Sequence, residues 1–170
     1  MLQRGDKVLP TTWAYRYKLN PEGSIKECRS RLCVRGDRET HEFAKYSAMV
    51  SLPILRTLIS LLGAGTFKHC ACFDIGNAFA STPAKRRCII DQPTGYWDGS
   101  TDVLMLLRVL YGQSDAGRSF WLHLEETLLQ EYTRSDADPC TFFKGSLAAG
   151  TLIVISTHVD DGPIFAQKES

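Results

Sequence analysis

The order of strand-like and helix-like segments constrains the fold of this chain more than any other sequence feature. Residues 13–19 and 25–35 alternate between large and charged side chains on either side of the turn signal 21–23, which predicts a β-hairpin. Apolar residues at helical spacing predict helices over 51–63 and from about 113 to 132. Strands precede, separate and follow these helices, so an α+β fold is expected rather than regular βαβ winding.

Short apolar stretches predict the remaining strands. They are 69–75, 87–92, 103–109 and 152–157, with 163–166 returning beside the last of these. Residues 37–46 are polar and are predicted to form a loop. The six cysteines contain no C-x-x-C pair, so reduced and mostly buried thiols are expected, with Cys70 and Cys72 on a buried strand.

Charge is distributed unevenly although the formal net charge is only +1. Residues 1–45 hold 10 Lys/Arg and 6 Asp/Glu, whereas residues 46–170 hold 10 and 13. The basic N-terminal part suits an anionic partner, although an unevenly charged solvated surface explains the same pattern. A hydrophobic content of 44% excludes wholesale disorder, and the longest apolar stretch is too short to span a bilayer. No export signal follows Met1, so an intracellular protein without a membrane partner is expected.

Three aspartates that follow apolar strands are the candidate catalytic residues. Asp74 ends one predicted strand, and Asp160 and Asp161 follow the last one. Gly162 comes next and is expected to supply the tight turn. Carboxylates that converge at strand ends repel each other and are stabilised by divalent cations, with oxygen ligands favouring Mg²⁺ or Mn²⁺. Such a cluster supports two-metal phosphoryl transfer, although the Asp-Asp-Gly stretch alone favours a simple polar turn, because such turns are common.

Six short motifs occur in order along the chain. They are R-S-R-L-C-V-R-G (29–36), S-L-P-I-L-R (51–56), D-I-G-N-A-F (74–79), Q-P-T-G-Y (92–96), L-Y-G with A-G-R-S-F-W (110–121) and H-V-D-D (158–161). Each motif is weak by itself, but their order and spacings together resemble the reverse transcriptase domain of copia-type LTR retrotransposon Pol polyproteins. The matching stretches run from Trp13 to about Phe165, which is nearly the whole sequence.

The resemblance implies a partial reverse-transcriptase-like right-hand fold. Residues 13–50 would form a fingers hairpin and loop, and residues 51–170 a palm with the remaining fingers, a small antiparallel sheet and packed helices. In the family, a thumb and ribonuclease H follow in the polyprotein, so fingers and palm without a thumb are expected here. The implied partners are an RNA or DNA template-primer, dNTPs and the other polyprotein regions. The implied location is cytoplasmic, within virus-like particles, or nuclear.

The resemblance also implies a role for each candidate residue of the palm. Asp74, Asp160 and Asp161 would bind two Mg²⁺ or Mn²⁺ ions, with the backbone carbonyl of Ile75 as a further ligand. Phe79 would lie under the incoming sugar and leave no room for a 2′-hydroxyl. Without the motif, an ordinary core residue after a strand is the preferred interpretation of Phe79.

On the hairpin, the resemblance implies that Arg31 grips the triphosphate, with Arg29 as a second candidate. Arginine suits this task because its planar fork meets phosphate oxygens bidentately. A solvated hairpin edge is the alternative explanation of the same alternating pattern.

Departures from the family motifs leave two functions open. His158 replaces the family tyrosine, Asp115 stands where the family has glutamine, and Pro163 lies where a strand is expected to continue. One interpretation is an RNA-directed DNA polymerase domain that is weakly active or inactive alone. The other is a non-catalytic remnant of a retroelement, either a folded nucleic-acid-binding fragment or an inert one.

Overall fold

A computed structural model describes residues 3–39 and 47–168. The chain forms two compact units, each built from two stretches that are distant in sequence. Met1–Lys45 and Phe79–Ser119 form the hairpin unit, and Tyr46–Ala78 and Phe120–Ser170 form the sheet unit. The division into a fingers segment at 13–50 and a palm at 51–170 stays a prediction.

The hairpin unit carries the β-hairpin that the alternating pattern predicted. Strands β2 (Thr11–Leu19) and β3 (Ile25–Val34) are antiparallel along their full length, with one irregularity near Leu19. Arg29 lies opposite Arg16 and Arg31 lies opposite Ala14, so three arginines share one face. The alternating residues Trp13, Tyr15 and Tyr17 lie on the other face. Most of both faces is exposed, so the hairpin contributes little to the core.

A small second sheet provides the core of the hairpin unit. Strand β1 (Val8–Leu9) pairs in parallel with β5 (Ile89–Ile90), which pairs antiparallel with β6 (Leu104–Met105). Buried Leu9, Val34, Cys88 and Ile90 pack together, with Leu106 and Leu110 against them. Strands β5 and β6 confirm the predicted positions but are only two residues long. Residues 36–38 form a 3₁₀-helix, and most of the loop predicted over 37–46 lies outside the described residues.

The sheet unit contains a five-stranded antiparallel sheet in the order β4-β10-β9-β8-β7. Its strands are β4 (His69–Asp74), β7 (Thr133–Arg134), β8 (Thr141–Lys144), β9 (Ile153–Ser156) and β10 (Asp161–Ala166). The predicted return of 163–166 beside the preceding strand is confirmed. Strand β10 is central, and Pro163 is compatible with this because it is paired with β4 but lies just before the pairing with β9 begins.

One helix packs against this sheet, and the helices together complete the mixed α+β architecture. Helix α1 (Leu52–Gly63) begins after Ser51 with a proline in its first turn, as predicted. Its Leu58 packs with Phe67, which precedes β4, and with Val154 and Phe165 of the sheet. The other two helices of the described part are α2 (Ala78–Ser81) and α3 (Ala116–Leu128). None of the helices in the described part is long and apolar enough to cross a membrane.

A buried carboxylate joins the start of α1 to strand β8. Asp138 is only 3% exposed and accepts hydrogen bonds from the backbone N–H groups of Ser51, at 2.8 Å, and Cys140, at 2.9 Å. Two donors of this kind satisfy a carboxylate that burial would otherwise destabilise. Ser51 and Asp138 are 87 residues apart in the sequence, so no local sequence pattern predicts this contact.

The expectation of mostly buried cysteines is wrong. Only Cys88 and Cys140 are buried, where desolvation raises the pKa of both thiols. Cys70 and Cys72 are exposed, because β4 is an edge strand rather than the buried strand that its apolar composition suggested. All six cysteines are free thiols.

Candidate functional site

A tight turn between β9 and β10 presents the paired aspartates. The N–H of His158 donates to the carbonyl of Asp161 at 2.7 Å, and the N–H of Asp161 donates back at 3.3 Å. Val159 has φ of 60° and Asp160 does not have positive φ, which is the pattern of a type II′ turn. Glycine normally occupies the first central position of that turn. A β-branched residue there is strained, and such strain concentrates at functional sites.

Gly162 does not supply the turn, contrary to the sequence-based expectation. It lies within β10, one residue beyond the turn, and its φ is not positive. A Cβ at this position would overlap the carbonyl oxygen of Ser156 and press on the Phe73 ring at 3.2 Å. Glycine is therefore needed here for the close approach of neighbouring strands.

The register of the sheet brings two of the three candidate carboxylates together. Asp161 at the start of β10 is the direct partner of Asp74 at the end of β4. Directly opposed residues lie on one face, with Cβ atoms about 4.5–5.5 Å apart. Asp160 is held beside them through its backbone, because its carbonyl accepts a 2.7 Å hydrogen bond from the Ile75 N–H. All three aspartates were expected to lie close together at one end of an antiparallel sheet; the register places Asp74 opposite Asp161 there, and the convergence of the three carboxylates stays a prediction.

The electrostatics of this end of the sheet are unfavourable without a cation. Asp74 and Asp161 are both exposed and directly opposed, and like charges in such a pair are destabilising. His158 Nδ1 lies 3.6 Å from the Asp161 carboxylate, and the two form an ion pair only when the imidazole is protonated. The opposed carboxylate oxygens are the donors that Mg²⁺ and Mn²⁺ prefer. Within residues 3–39 and 47–168, however, no three His, Cys, Asp or Glu side chains are gathered around a point suited to a metal ion.

A cavity of about 740 Å³ opens beside the opposed carboxylates in the sheet unit. Its lining is mainly apolar and comes from the start of α1, the end of β4 and the start of β10. The apolar residues are Met49, Val50, Leu52, Leu55, Phe73 and Pro163. Asp74, Asp161 and His158 stand at the polar side of this cavity. The arrangement places two carboxylates beside an apolar groove that can accept a ligand.

The candidate nucleotide-binding residues of the hairpin unit meet around one tyrosine. The guanidinium carbon of Arg31 lies 5.0 Å from the centre of the Tyr111 ring, a cation–π geometry. Phe79 meets the same ring edge-on, with 4.8 Å between centroids. Arg29 instead pairs with Glu27 at 2.9 Å on the exposed hairpin surface. The structure therefore groups Arg31 with Phe79 and leaves Arg29 apart.

Tyr111 was not singled out by the sequence, although the L-Y-G motif contains it. Its carbonyl accepts a 2.7 Å hydrogen bond from Val34 at the end of β3, and the Gly112 carbonyl accepts one of 3.1 Å from Gly36. Gly112 has φ of 85°, and a Cβ there would overlap the Val34 carbonyl oxygen. The glycine of the motif thus allows the loop to lie against β3.

Asp115 does not present a free acid, although it replaces the family glutamine. Arg86 binds its carboxylate bidentately, with Nε at 2.8 Å and Nη2 at 2.7 Å, and also binds Glu39 at 2.6 Å. Ser114 donates from its hydroxyl to Glu39. Desolvation lowers the pKa of Arg86, but the hydrogen bonds that its guanidinium donates to Asp115 and Glu39 outweigh this effect and raise the pKa above its ordinary value. The Arg86 guanidinium is thus the shared cationic partner of both acids within the hairpin unit.

The Q-P-T-G-Y motif also has a structural explanation. The Gln92 side chain donates to the Asp98 carboxylate at 2.9 Å and accepts a 2.9 Å hydrogen bond from the Asp98 N–H. Hydrogen bonds from Gln92 and Ser100 lower the pKa of Asp98 to about 2. Gln92 therefore closes the loop that carries Tyr96, whose ring packs at a tilt of 34° against Trp13 of the hairpin, with 5.8 Å between centroids.

Comparison with known proteins agrees with the motif order. The chain is 25% identical over 166 residues to a retrovirus-related Pol polyprotein from transposon TNT 1-94 of Nicotiana tabacum. The aligned part covers 94% of this chain but only 12% of that relative. No solved structure matches the chain. The sequence profile described as reverse transcriptase (RNA-dependent DNA polymerase) matches residues 1–169, so the chain belongs to this reverse transcriptase family.

Proposed function

We propose that this chain is the fingers and palm part of an RNA-directed DNA polymerase from a copia-type retrotransposon Pol polyprotein, with the right-hand fold of such enzymes. It would add dNTPs to a primer by two-metal phosphoryl transfer. The observation that carries the proposal is the pairing of Asp74 with Asp161 across β4 and β10, beside the strained Val159 turn. Family membership over residues 1–169 supports the same function.

The three aspartates are proposed to hold the divalent cations. Asp74 and Asp161 already lie opposite each other, and a movement about the turn would bring in the carboxylate of Asp160. The Ile75 N–H fixes the backbone of Asp160 and so limits that movement. When bound, Mg²⁺ or Mn²⁺ would offset the repulsion of the carboxylates and supply charge stabilisation to the reacting phosphate.

The hairpin unit is proposed to bind the dNTP. The exposed Arg31 guanidinium lies 5.0 Å from the centre of the Tyr111 ring, and its donors would meet phosphate oxygens bidentately. Phe79 is half-buried and fixed against the same ring, so it can act as a rigid barrier to a 2′-hydroxyl. Arg29 would contribute to phosphate binding only after its ion pair with Glu27 breaks.

The length of the Pol polyprotein relative indicates that other polyprotein regions would act together with this chain. The chain corresponds to 12% of a Pol polyprotein, so a template-primer duplex would be held jointly with other polyprotein regions such as a thumb and ribonuclease H. The exposed basic face of the hairpin, with Arg16, Arg29 and Arg31, suits a nucleic-acid backbone. Positioning of the primer 3′-oxygen at about 3–3.5 Å from the phosphate depends on that joint grip.

A non-catalytic remnant is the second candidate. It is favoured by His158 in place of the motif tyrosine and by the Arg86 network, which occupies Asp115 instead of leaving it for a nucleotide. In that case the folded chain would bind nucleic acid through the hairpin or bind nothing. The two candidates differ in whether incorporation depends on the carboxylates.

Single-nucleotide incorporation by excess protein on an RNA template with a DNA primer, in Mn²⁺, distinguishes them. We expect slow incorporation by the 170-residue chain, because a misplacement of about 1 Å costs on the order of a hundredfold in rate. Asp160→Asn should abolish this activity, whereas Asp136→Asn, an exposed acid of the same unit, should retain it. Equal background rates for the chain and Asp160→Asn would support the remnant. Fast incorporation that Asp160→Asn abolishes would show that fingers and palm suffice.

A further inference from the structure

Tyr111 contacts both side chains that the proposed function assigns to the incoming nucleotide. Its ring lies under the Arg31 guanidinium at 5.0 Å and meets the edge of Phe79 at 4.8 Å, with an interplanar angle of 72°. All three residues belong to the hairpin unit, and Tyr111 and Phe79 are both half-buried while Arg31 is exposed. One ring is therefore the shared support of a cation and of an aromatic barrier.

The backbone on both sides of this cluster is fixed. The Tyr111 carbonyl accepts a 2.7 Å hydrogen bond from Val34, three residues after Arg31 on β3. On the other side, Thr82 donates to the Phe79 carbonyl at 3.0 Å, and its own carbonyl accepts from Val109 at 2.9 Å. Thr82 is 1% exposed, so this second anchor is buried. Freedom within the cluster is consequently confined to the side chains.

We propose that Tyr111 is a positioning residue that couples the triphosphate grip of Arg31 to the sugar barrier of Phe79; this rests on the proposed function. The ring restricts the long Arg31 side chain to one plane, which reduces the ordering required when phosphate binds. The same ring fixes the tilt of Phe79, since an edge-to-face pair has a preferred geometry. Any tilt of the ring shifts both groups, and this makes triphosphate and sugar recognition interdependent.

The nucleotide-free geometry can be tested on the full 170-residue chain by NMR. A guanidinium stem over an aromatic ring experiences the ring current, so the Arg31 Hδ protons should resonate upfield of those of Arg29, which lies on the same strand face. Tyr111→Leu should abolish this upfield shift, and Tyr111→Phe should keep it because the ring remains. An Arg31 shift that is unchanged in Tyr111→Leu would overturn the proposed contact without bearing on the polymerase function.

Nucleotide binding in Mg²⁺ tests the coupling. The ratio of the affinities for dATP and dAMP reports on recognition of the triphosphate by Arg31. The ratio of the affinities for dATP and ATP reports on exclusion of the 2′-hydroxyl by Phe79. Tyr111→Leu should lower both ratios by about two- to fivefold, the range of a partly exposed cation–π contact. Tyr111→Phe should leave both ratios within error. Arg31→Ala should lower the ratio of dATP to dAMP affinity. In the unmodified chain, the effects of Arg31→Ala and Phe79→Leu on nucleotide binding should be non-additive when the two substitutions are combined. In the Tyr111→Leu background, the same two effects should be additive.

The outcomes separate the coupling from the proposed function. If the chain shows both preferences and Tyr111→Leu lowers only one or neither, Tyr111 is not a coupling residue while the function stands. A general loss of stability would weaken dAMP, dATP and ATP binding together and leave both ratios unchanged, which also contradicts the coupling. Absence of both preferences in the unmodified chain would overturn the proposed function together with this inference.

Discussion

The hairpin unit and the sheet unit prepare their candidate residues in opposite ways. In the hairpin unit, Arg86 is the cationic partner of two acids and Arg31 lies over an aromatic ring, so these charged groups already have partners. In the sheet unit, Asp74 and Asp161 oppose each other with like charge beside a strained Val159. One region is stabilised by its own contacts, whereas the other holds a like-charge pair and a strained residue where the cation is proposed to bind.

This difference indicates which contacts serve the scaffold and which serve a ligand. Strain and like-charge pairs persist only where the surrounding structure enforces them, and they concentrate at functional sites. The β4–β10 ladder, with six paired positions, enforces the opposition of Asp74 and Asp161. Clusters of paired charges, such as Arg86 with its two acids, instead fix loops in place. Substitutions should therefore destabilise the hairpin unit but can stabilise the metal-free turn of the sheet unit.

The largest effect is expected at Gly112. Gly112→Ala should lower the free energy of unfolding by about 3–5 kcal/mol, because positive φ costs about 1–2 kcal/mol and the new Cβ overlaps the Val34 carbonyl. Gly95→Ala is the matched control, since Gly95 has φ of 90° and no atom within 4 Å of an added Cβ. It should cost only about 1–2 kcal/mol in urea unfolding. Equal costs for the two variants would contradict the close approach of the loop to β3.

The next effect concerns the Arg86 network. Arg86→Met should cost about 2–3 kcal/mol of unfolding free energy, since it leaves two acids without their cation, with Glu39 only 5% and Asp115 15% exposed in their side chains. Arg29→Ala is the control, because its pair with Glu27 is about half exposed and should contribute at most about 1 kcal/mol. Thermal and urea unfolding measure both. A loss no larger than the control would mean that the network does not hold the hairpin unit together.

The smallest effect has the opposite sign and lies in the turn. Val159→Gly should raise the free energy of unfolding of the metal-free chain by up to about 1 kcal/mol, because glycine adopts φ of 60° without strain. Asn77→Gly is the control, since asparagine tolerates its φ of 55° and little change is expected. A destabilised Val159→Gly would show that the valine is not strained. The sheet unit would then differ from the hairpin unit only in its opposed carboxylates.

The sequence predicted the parts of this comparison that depend on local pattern. Alternation located β2 and β3, and the positions of acids after apolar strands identified Asp74 and Asp161. Contacts between distant segments were not predictable in this way. Gly162 and Gly112 are required by the approach of other strands, and the support of Arg31 by Tyr111 joins residues 80 positions apart. The exposed edge of β4 was missed because apolar composition reveals strand formation but not sheet order.

Mn²⁺ titration of the isotope-labelled chain, followed by paramagnetic broadening of its amide resonances, tests the central claim most directly. The carboxylates of Asp74, Asp160 and Asp161 are proposed to bind the cation, so amides of 74–75 and 159–162 should broaden first. Asp161→Asn should reduce this broadening, whereas Asp136→Asn should not. Broadening that begins elsewhere, or that Asp161→Asn leaves unchanged, would contradict a cation site at the turn between β9 and β10.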